Sequence, residues 1–283
     1  MSHFFKRVVI LLNELENIDN VLKKAFDFSI QHQTRLEILY VQEQELFDVP
    51  DYFLSDDKIA NERLDKKSVK TKIEEHLLAL DIQGDHAILI YEDDTIDQVL
   101  HYAKGQKDIL FITAYHQELS AKLVEKTPHS FWIVKNNSQS YHNIAIPLDF
   151  SDTGERVITL AKHIFPTQNI TMIHDYRYLL DTLTVQVDYL NVVPVITPDI
   201  LALNETLKKE QKAKFEHYKK EFELNGKCIE GEASLDKDLI EYISKNDFDL
   251  SILYHQDTEL FLSPSLILEL LKFVETDFFI VNL

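Results

Sequence analysis

The sequence contains one strand–helix–strand pattern twice, and this repeat limits the fold more than any other feature. The first copy opens on the apolar run 7–13, and the second opens on the apolar run 143–149, just past the middle of the 283-residue chain. In both copies a segment with apolar residues at helical spacing follows, and then another apolar run. Short buried strands joined by helices are typical of βαβ units in parallel sheets. A repeat of this length predicts two duplicated domains rather than an array of small repeats.

The remaining elements also recur in the same order in the two halves. The apolar runs predict five strands in each half, at 7–13, 35–41, 86–91, 108–113 and 131–134, and at 143–148, 169–174, 228–232, 249–254 and 278–281. Helical segments separate the strands, so each half is expected to form an α/β, doubly wound parallel sheet with helices on both faces. We expect a first domain at 1–136 and a second at 141–283, joined by a polar linker. In this alignment Thr113 and Tyr254 fall at the same position.

Polar residues at two helix starts predict N-caps, because their side chains can accept hydrogen bonds from the first turn. Asp94 or Thr95 is expected to cap one helix of the first half, and Ser151 or Asp152 the first helix of the second half.

Composition and charge exclude several classes of function. The chain carries 29 Lys and Arg against 48 Asp and Glu, a net charge of −19, which predicts repulsion from nucleic-acid phosphates and from anionic membranes. Cys228 is the only cysteine, so no intrachain disulfide can form, which suits a reducing compartment. No apolar run approaches the roughly 20 residues that span a bilayer, and the first strand follows the N-terminus directly. We therefore expect a cytoplasmic protein that contacts neither membranes nor nucleic acid.

The run Ile146-Pro147-Leu148-Asp149-Phe150-Ser151 resembles the first strand and turn of the universal stress protein (UspA-like) family in its tandem-domain form. The pairs Glu230-Gly231 and Asp249-Leu250 and the closing Phe279-Ile280-Val281 are similar to the same family. The resemblance covers nearly the whole second half and, more weakly, the first. It implies two flavodoxin-like (adenine nucleotide alpha hydrolase-like) domains, pairing of these domains through the last strand, and a stress-associated cytoplasmic role. Association into a homodimer stays open.

Many members of this family bind ATP through a Gly-x2-Gly-x9-Gly-Ser/Thr loop after the fourth strand. Glycines in such a loop let the backbone reach the phosphates, and the next helix offers its N-terminus. The corresponding stretch here, 254–265, has no glycine, places Pro264 where the last glycine would stand, and carries the acidic residues Asp257 and Glu259. The shorter stretch 114–120 of the first half also lacks glycine. We therefore expect that neither half binds ATP and that the protein holds no cofactor.

The carboxyl ends of the strands are the expected place for a ligand in a sheet of this kind. The resemblance places the aspartate of the first strand beside the nucleotide base, a role that Asp149 would take, with neutral Asn13 in its place in the first half. The predicted pocket residues are Pro147, Asp149, His174, Leu253, His255, Ser265 and Asn13. Asp149 also fits a plain turn and capping role.

Neither a metal site nor a catalytic site is predicted. His174 and His255 could share a metal with Asp149 if their loops converged, but no paired His or Cys spacing supports this, and surface or capping histidines fit better. The chain has no phosphate-binding Gly-rich motif and no Gly-x-Ser-x-Gly elbow.

The segment 176–200 is rich in apolar residues. It is expected either to pack over the domain interface or over a second chain, or to form an apolar binding surface. The sequence as a whole favours a non-enzymatic tandem universal stress protein with a binding or regulatory role in stress adaptation. Two alternatives remain: a nucleotide-binding sensor with a divergent loop, and a carrier of an apolar small molecule.

Overall fold

The structure is a computed structural model that describes residues 4–43, 65–106, 108–136, 140–175, 198–229, 235–255 and 263–282, with backbone alone at 198–205, 207, 235 and 236. The chain separates into two compact units, Met1–Gln139 and Ser140–Leu283. The boundary between the units falls inside the linker expected at 136–141. The segments 176–197 and 256–262 lie outside the described residues.

Unit 1 alternates strands and helices along the whole described chain. Its elements are β1 (Arg7–Leu12), α1 (Asp19–His32), β2 (Arg35–Gln42), α2 (Lys66–Ala79), β3 (His86–Glu92), α3 (Thr95–Tyr102), β4 (Ile109–Ala114), α4 (Gln117–Lys126) and β5 (Ser130–Val134). The strands follow the order β3-β2-β1-β4-β5, and all four neighbouring pairs are parallel.

Unit 2 repeats this arrangement. Its elements are β6 (Asn143–Pro147), α5 (Asp152–Ile164), β7 (Asn169–Asp175), α6 (Pro198–Glu221), β8 (Asn225–Ile229), α7 (Leu235–Lys245), β9 (Leu250–Tyr254), α8 (Pro264–Phe273) and β10 (Asp277–Val281). The strands follow the order β8-β7-β6-β9-β10, again with parallel neighbours. Since β6 corresponds to β1, the two units have the same strand order, and the predicted doubly wound fold class is confirmed.

The first strand of each unit lies at the centre of its sheet and is covered on both faces. Val8, Val9, Ile10 and Leu11 of β1 are fully buried, as are Ile144, Ala145 and Ile146 of β6. Central parallel strands of this kind read as continuous apolar runs, which is why the sequence locates them within a residue or two.

The strand β8 begins earlier than the sequence predicts. The apolar run starts at Cys228, but β8 pairs with β7 from Asn225, where Asn225 lies opposite Thr171. Gly226 makes this possible, because a Cβ at that position would lie 2.6 Å from the ring of Phe215 on α6. The start of β8 therefore depends on a close approach to a helix that hydrophobic periodicity does not reveal.

Two predicted helix caps are present. Of the candidate pairs Asp94 or Thr95 and Ser151 or Asp152, the first residue of each pair is the N-cap. Asp94 accepts a hydrogen bond from the Asp97 backbone N–H at 3.0 Å, and Ser151 accepts one from the Gly154 N–H at 3.1 Å. No described helix is long and apolar enough to span a membrane.

Candidate functional site

The carboxyl end of β6 is occupied by a hydrogen-bonded pair, Asp149 and Tyr254. Asp149 Oδ1 accepts hydrogen bonds from the Tyr254 hydroxyl at 2.7 Å, from Ser151 Oγ at 2.7 Å and from the Ser151 N–H at 3.2 Å. Tyr254 ends the neighbouring strand β9, and its side chain is fully buried. Asp149 thus closes its own turn, as the capping interpretation predicts, and also ties β6 to β9.

The first turn of α5 approaches this pair closely because residue 154 is glycine. A Cβ there would lie 2.8 Å from Leu148 Cδ1 and 3.3 Å from both Asp149 Oδ1 and the Tyr254 hydroxyl. Glycine inside a helix costs about 1 kcal/mol relative to alanine. Close packing of the helix on the strand end is the physical reason for glycine at this position.

Aromatic side chains pack together beside this pair, next to the carboxyl ends of β6 and β7. We define the aromatic cluster as Phe150, His174, Phe215 and Tyr218. The Phe150 ring lies 4.2 Å from His174, 5.0 Å from Tyr218 and 6.4 Å from Phe215, measured between ring centroids. Phe150 has a φ of 60°, a left-handed conformation that is unusual for a bulky residue, and this conformation accompanies its ring's contacts with the other three side chains.

His174 belongs to the buried core rather than to the surface. Its side chain is fully buried, and Nδ1 lies 2.7 Å from the Leu148 carbonyl oxygen, so Nδ1 carries the proton and donates it. Burial lowers the pKa of His174 to about 4, although the bond to Leu148 and the nearby Asp175 and Asp149 act in the opposite direction. The expectation of a surface or capping histidine is therefore wrong for this residue, and the imidazole is neutral at pH 7.

Tyr218 connects the aromatic cluster to helix α5. Its hydroxyl donates to Glu155 Oε1 at 2.6 Å. Burial, reinforced by Glu155, raises the pKa of Tyr218 well above its usual range, so the phenol stays protonated and serves as a donor.

The other predicted pocket residues are less closely grouped. Pro147 and Leu253 are buried within β6 and β9. Ser265 lies in the first turn of α8, with its hydroxyl 2.8 Å from that of Ser263, which caps the helix. Burial lowers the pKa of the half-buried His255. Among the described residues, no group of three His, Cys, Asp or Glu side chains could hold a metal ion.

Asn13 takes a different role at the equivalent strand end of unit 1. Its amide nitrogen donates to the Val41 carbonyl at 3.0 Å and to Thr95 Oγ1 at 2.6 Å. Asn13 thereby joins the ends of β1 and β2 to the start of α3, whereas Asp149 binds to its own turn and to β9. Its buried Oδ1 accepts no hydrogen bond from any described residue.

The strand registers correct the sequence alignment by one residue. Val8 lies opposite Leu110 and Ile144 lies opposite Leu250. With Val8 and Ile144 taken as equivalent, the residue that matches Tyr254 is Ala114, not Thr113. Unit 1 therefore has a methyl group where unit 2 has a buried phenol.

Sequence reasoning missed Tyr254, Phe150 and Tyr218 as members of this site. A partial signal was present, since Phe215 and Tyr218 recur at helical spacing on α6 and Phe222 directly follows its last residue. The hydrogen bond from Tyr254 to Asp149 joins the end of β9 to the turn after β6, and residues 105 positions apart in the chain give no local pattern that predicts it.

Comparisons with known proteins show the fold. The chain is similar to a universal stress protein from Archaeoglobus fulgidus at 12% identity, with a TM-score of 0.61 over 99% of this chain and 97% of that one. A putative universal stress protein from Pseudomonas aeruginosa matches at 13% identity and a TM-score of 0.59, covering 98% and 93% of the two chains. A functionally unknown protein from Pseudomonas aeruginosa matches at 12% identity and a TM-score of 0.56, covering 98% and 92%. No family model matches the sequence, and no curated protein does so either.

Proposed function

We propose that this chain is a tandem universal stress protein that works by binding or regulation, without enzymatic chemistry, and that its second unit no longer accepts a nucleotide. The observation that carries the proposal is the filled strand end of unit 2. The Asp149–Tyr254 pair and the aromatic cluster occupy the edge of the sheet where a doubly wound fold offers space to a ligand.

The charge and hydrogen bonding of this region support the same proposal. Asp149 Oδ1 already accepts three hydrogen bonds, and His174 is neutral and fully buried. A phosphate group needs cations or several backbone N–H donors, and neither the Asp149–Tyr254 pair nor the aromatic cluster contains a cation at pH 7. A nucleotide base would have to displace Phe150, whose ring packs against three aromatic side chains.

The fold similarity to a universal stress protein and to a putative universal stress protein supports the stress-related part of the proposal. The single cysteine and the net charge of −19 support a cytoplasmic location, as expected from the sequence. The alternatives of an apolar carrier and of a sensor with a divergent loop depend on segments 176–197 and 256–262, which lie outside the described residues.

Calorimetric titration of the full-length chain with Mg-ATP tests the nucleotide part. We expect no binding to the strand end of unit 2 at millimolar ATP, which corresponds to a binding free energy weaker than about 4 kcal/mol. A micromolar dissociation constant that Phe150→Trp abolishes would refute the proposal, because it would place the nucleotide at the aromatic cluster. Native mass spectrometry of the purified chain, with and without ATP, would reveal a carried ligand and also report whether two chains associate.

The stress-related part has its own test. In the source organism, deletion of the coding sequence should slow recovery from starvation or another general stress, and the unaltered chain should restore recovery. Complementation by the Phe150→Trp chain should work equally well, since the proposal assigns no role to a nucleotide at that position.

A further inference from the structure

Unit 1 contains a cationic cavity at the amino ends of its strands, at the opposite edge of its sheet from Asn13. The cavity has a volume of about 600 Å³ and is lined by Lys6, Arg7, Arg35, Asp108, Ile109 and the turn 105–106. Three basic side chains meet here in a protein whose net charge is −19. The start of β1 brings Arg7 directly opposite Arg35 on β2.

A buried carboxylate orients both arginines. Glu37 is 4% exposed, and its Oε1 lies 2.9 Å from Arg35 Nε and 3.6 Å from Arg7 Nε. These contacts are ion pairs without hydrogen-bond geometry, since Oε1 accepts no hydrogen bond from any described residue. The Tyr102 hydroxyl donates to Oε2 of Glu37 and accepts from Arg7 Nη1 at 3.4 Å. Glu37 thus engages each guanidinium from its Nε side.

The outer nitrogens of these guanidinium groups remain available. Within the described part of the chain, Arg35 Nη1 and Nη2 and Arg7 Nη2 have no hydrogen-bond partner. Lys6 pairs with Asp108 at 2.5 Å, but both side chains are well exposed, at 74% and 45%, and such a pair contributes little to stability. Three cations against Glu37 and Asp108 leave one unbalanced positive charge at the cavity.

Unit 2 shows that the fold does not require charge at these positions. Asn143, Asn169 and Thr171 stand where unit 1 has Arg7, Arg35 and Glu37. The Asn169 amide donates to Asn143 Oδ1 at 3.0 Å, and the Asn225 amide donates to Asn169 Oδ1. The asparagines of unit 2 hydrogen-bond to one another. The arginines of unit 1 instead have guanidinium N–H donors that no described residue accepts.

We propose that this cavity binds a small phosphomonoester, with its phosphate held between Arg7, Arg35 and Lys6. Guanidinium groups bind phosphate oxygens in a bidentate manner, and two arginines on neighbouring strands about 4.8 Å apart can share one tetrahedral anion. The cavity lies within the range of about 300–1,000 Å³ typical of small-molecule sites and exceeds the size of a phosphate ion. The organic part of the ligand would lie against the turn 105–106.

Calorimetry on the full chain at low ionic strength tests this site, with glycerol 3-phosphate and inorganic phosphate as probes. Glycerol 3-phosphate should bind with a dissociation constant of about 1 mM or lower, more tightly than inorganic phosphate, and affinity should fall as salt is added. Arg35→Gln should weaken binding at least tenfold, and Arg35→Lys should weaken it less. Lys122→Gln, an equal change of charge on an exposed part of α4, should bind as the unaltered chain does.

Three results would overturn the proposal: no saturable binding of glycerol 3-phosphate, equal affinity for the two probes, or unchanged affinity in Arg35→Gln. Arg35 is 68% exposed in its side chain, so its substitution should leave the fold intact, which circular dichroism checks. This site is independent of the proposed function. ATP binding that Arg35→Gln abolishes belongs to this cavity, whereas ATP binding that survives in Arg35→Gln and is lost in Phe150→Trp counts against the proposed function.

Discussion

The carboxyl ends of β1 and β6 occupy the same place in two units of the same strand order, yet they are packed differently. In unit 2 the strand end carries Asp149, and buried Tyr254 donates to its carboxylate. In unit 1 the corresponding residues are Asn13 and Ala114, and the amide of Asn13 binds β2 and α3 instead. The comparison teaches that strand order fixes where the edge lies, while the side chains at that edge decide which elements it is bonded to.

The next residue along the chain strengthens the contrast. Phe150 follows Asp149 and packs into the aromatic cluster, whereas Glu14 follows Asn13, is half exposed, and lies 3.4 Å from His116. At the opposite edge the contrast reverses, because unit 1 carries the charged residues Arg7 and Arg35 where unit 2 carries Asn143 and Asn169. In unit 2 the distinctive side chains therefore lie at the carboxyl ends of the strands, and in unit 1 they lie at the amino ends.

Replacing Tyr254 should have the largest effect on stability. Tyr254→Ala removes a fully buried ring and a hydrogen bond to Asp149, which should lower the free energy of unfolding by about 4 kcal/mol. Ala114→Gly at the matching position of unit 1 should cost about 1 kcal/mol, and Tyr254→Phe should cost about 1–2 kcal/mol. Urea titrations followed by circular dichroism measure all three, and equal midpoints for Tyr254→Ala and Ala114→Gly would break the comparison.

His174 should make the free energy of unfolding depend on pH between about 4 and 6.5, whereas its counterpart in unit 1, Tyr40, should not. Tyr40 holds the equivalent register position in β2. The pKa of His174 is about 4 in the folded chain and about 6.5 when unfolded, so its contribution is complete above pH 6.5 and is lost as the pH falls toward 4. The expected loss is roughly 3 kcal/mol at about 1.4 kcal/mol per pH unit.

The His174 prediction is measured as the slope of unfolding free energy between pH 7 and pH 4. His174→Gln should flatten this slope, while Tyr40→Phe should leave it unchanged. Burial also lowers the pKa of His129, so part of the slope should persist in His174→Gln. A slope identical to that of the unaltered chain would show that His174 does not remain neutral in the fold.

Phe150 and Glu14 should differ in their response to truncation. Phe150→Ala removes the ring that joins the aromatic cluster and should lower stability by about 2 kcal/mol, whereas Glu14→Ala should change it by less than about 0.5 kcal/mol. Phe150→Gly should be less harmful than Phe150→Ala, because glycine accepts the φ of 60° without strain. Thermal unfolding of the three variants measures these differences. A larger loss of stability in Phe150→Gly than in Phe150→Ala would contradict the strain expected from the φ of 60°.

Gly154→Ala should have the smallest effect of the series. A Cβ would lie 2.8 Å from Leu148 Cδ1 and 3.3 Å from the Tyr254 hydroxyl, so a net loss of about 1 kcal/mol is expected despite the better helix propensity of alanine. Adding Tyr254→Phe removes one of the crowded atoms, so the double variant should lose less than the sum of the two single losses. Strict additivity in urea titrations would place the strain at Leu148 and Asp149 rather than at the Tyr254 hydroxyl.

The sequence alone was sufficient to predict the strands and helix caps that are determined by residues close together in the chain. The continuous apolar runs of β1 and β6, the caps Asp94 and Ser151, and the repeated order of strands and helices are all present in the structure. A run of buried residues or a cap depends on neighbours a few positions away, so the pattern and the interaction are read from the same short stretch. The identity of Asp149 as a strand-end residue belongs to this class.

Tertiary structure alone decided what surrounds those elements. The donation from Tyr254 to Asp149, the packing of Phe150 against His174, and the placement of Arg7 and Arg35 around Glu37 each join residues from different strands or helices. The alignment of the two halves by sequence was wrong by one residue here. It matched Tyr254 with Thr113, whereas the strand registers match Tyr254 with Ala114. Such contacts depend on register and on the approach of helices to strand ends, which are set by packing across the whole unit rather than by the residues beside them in the chain.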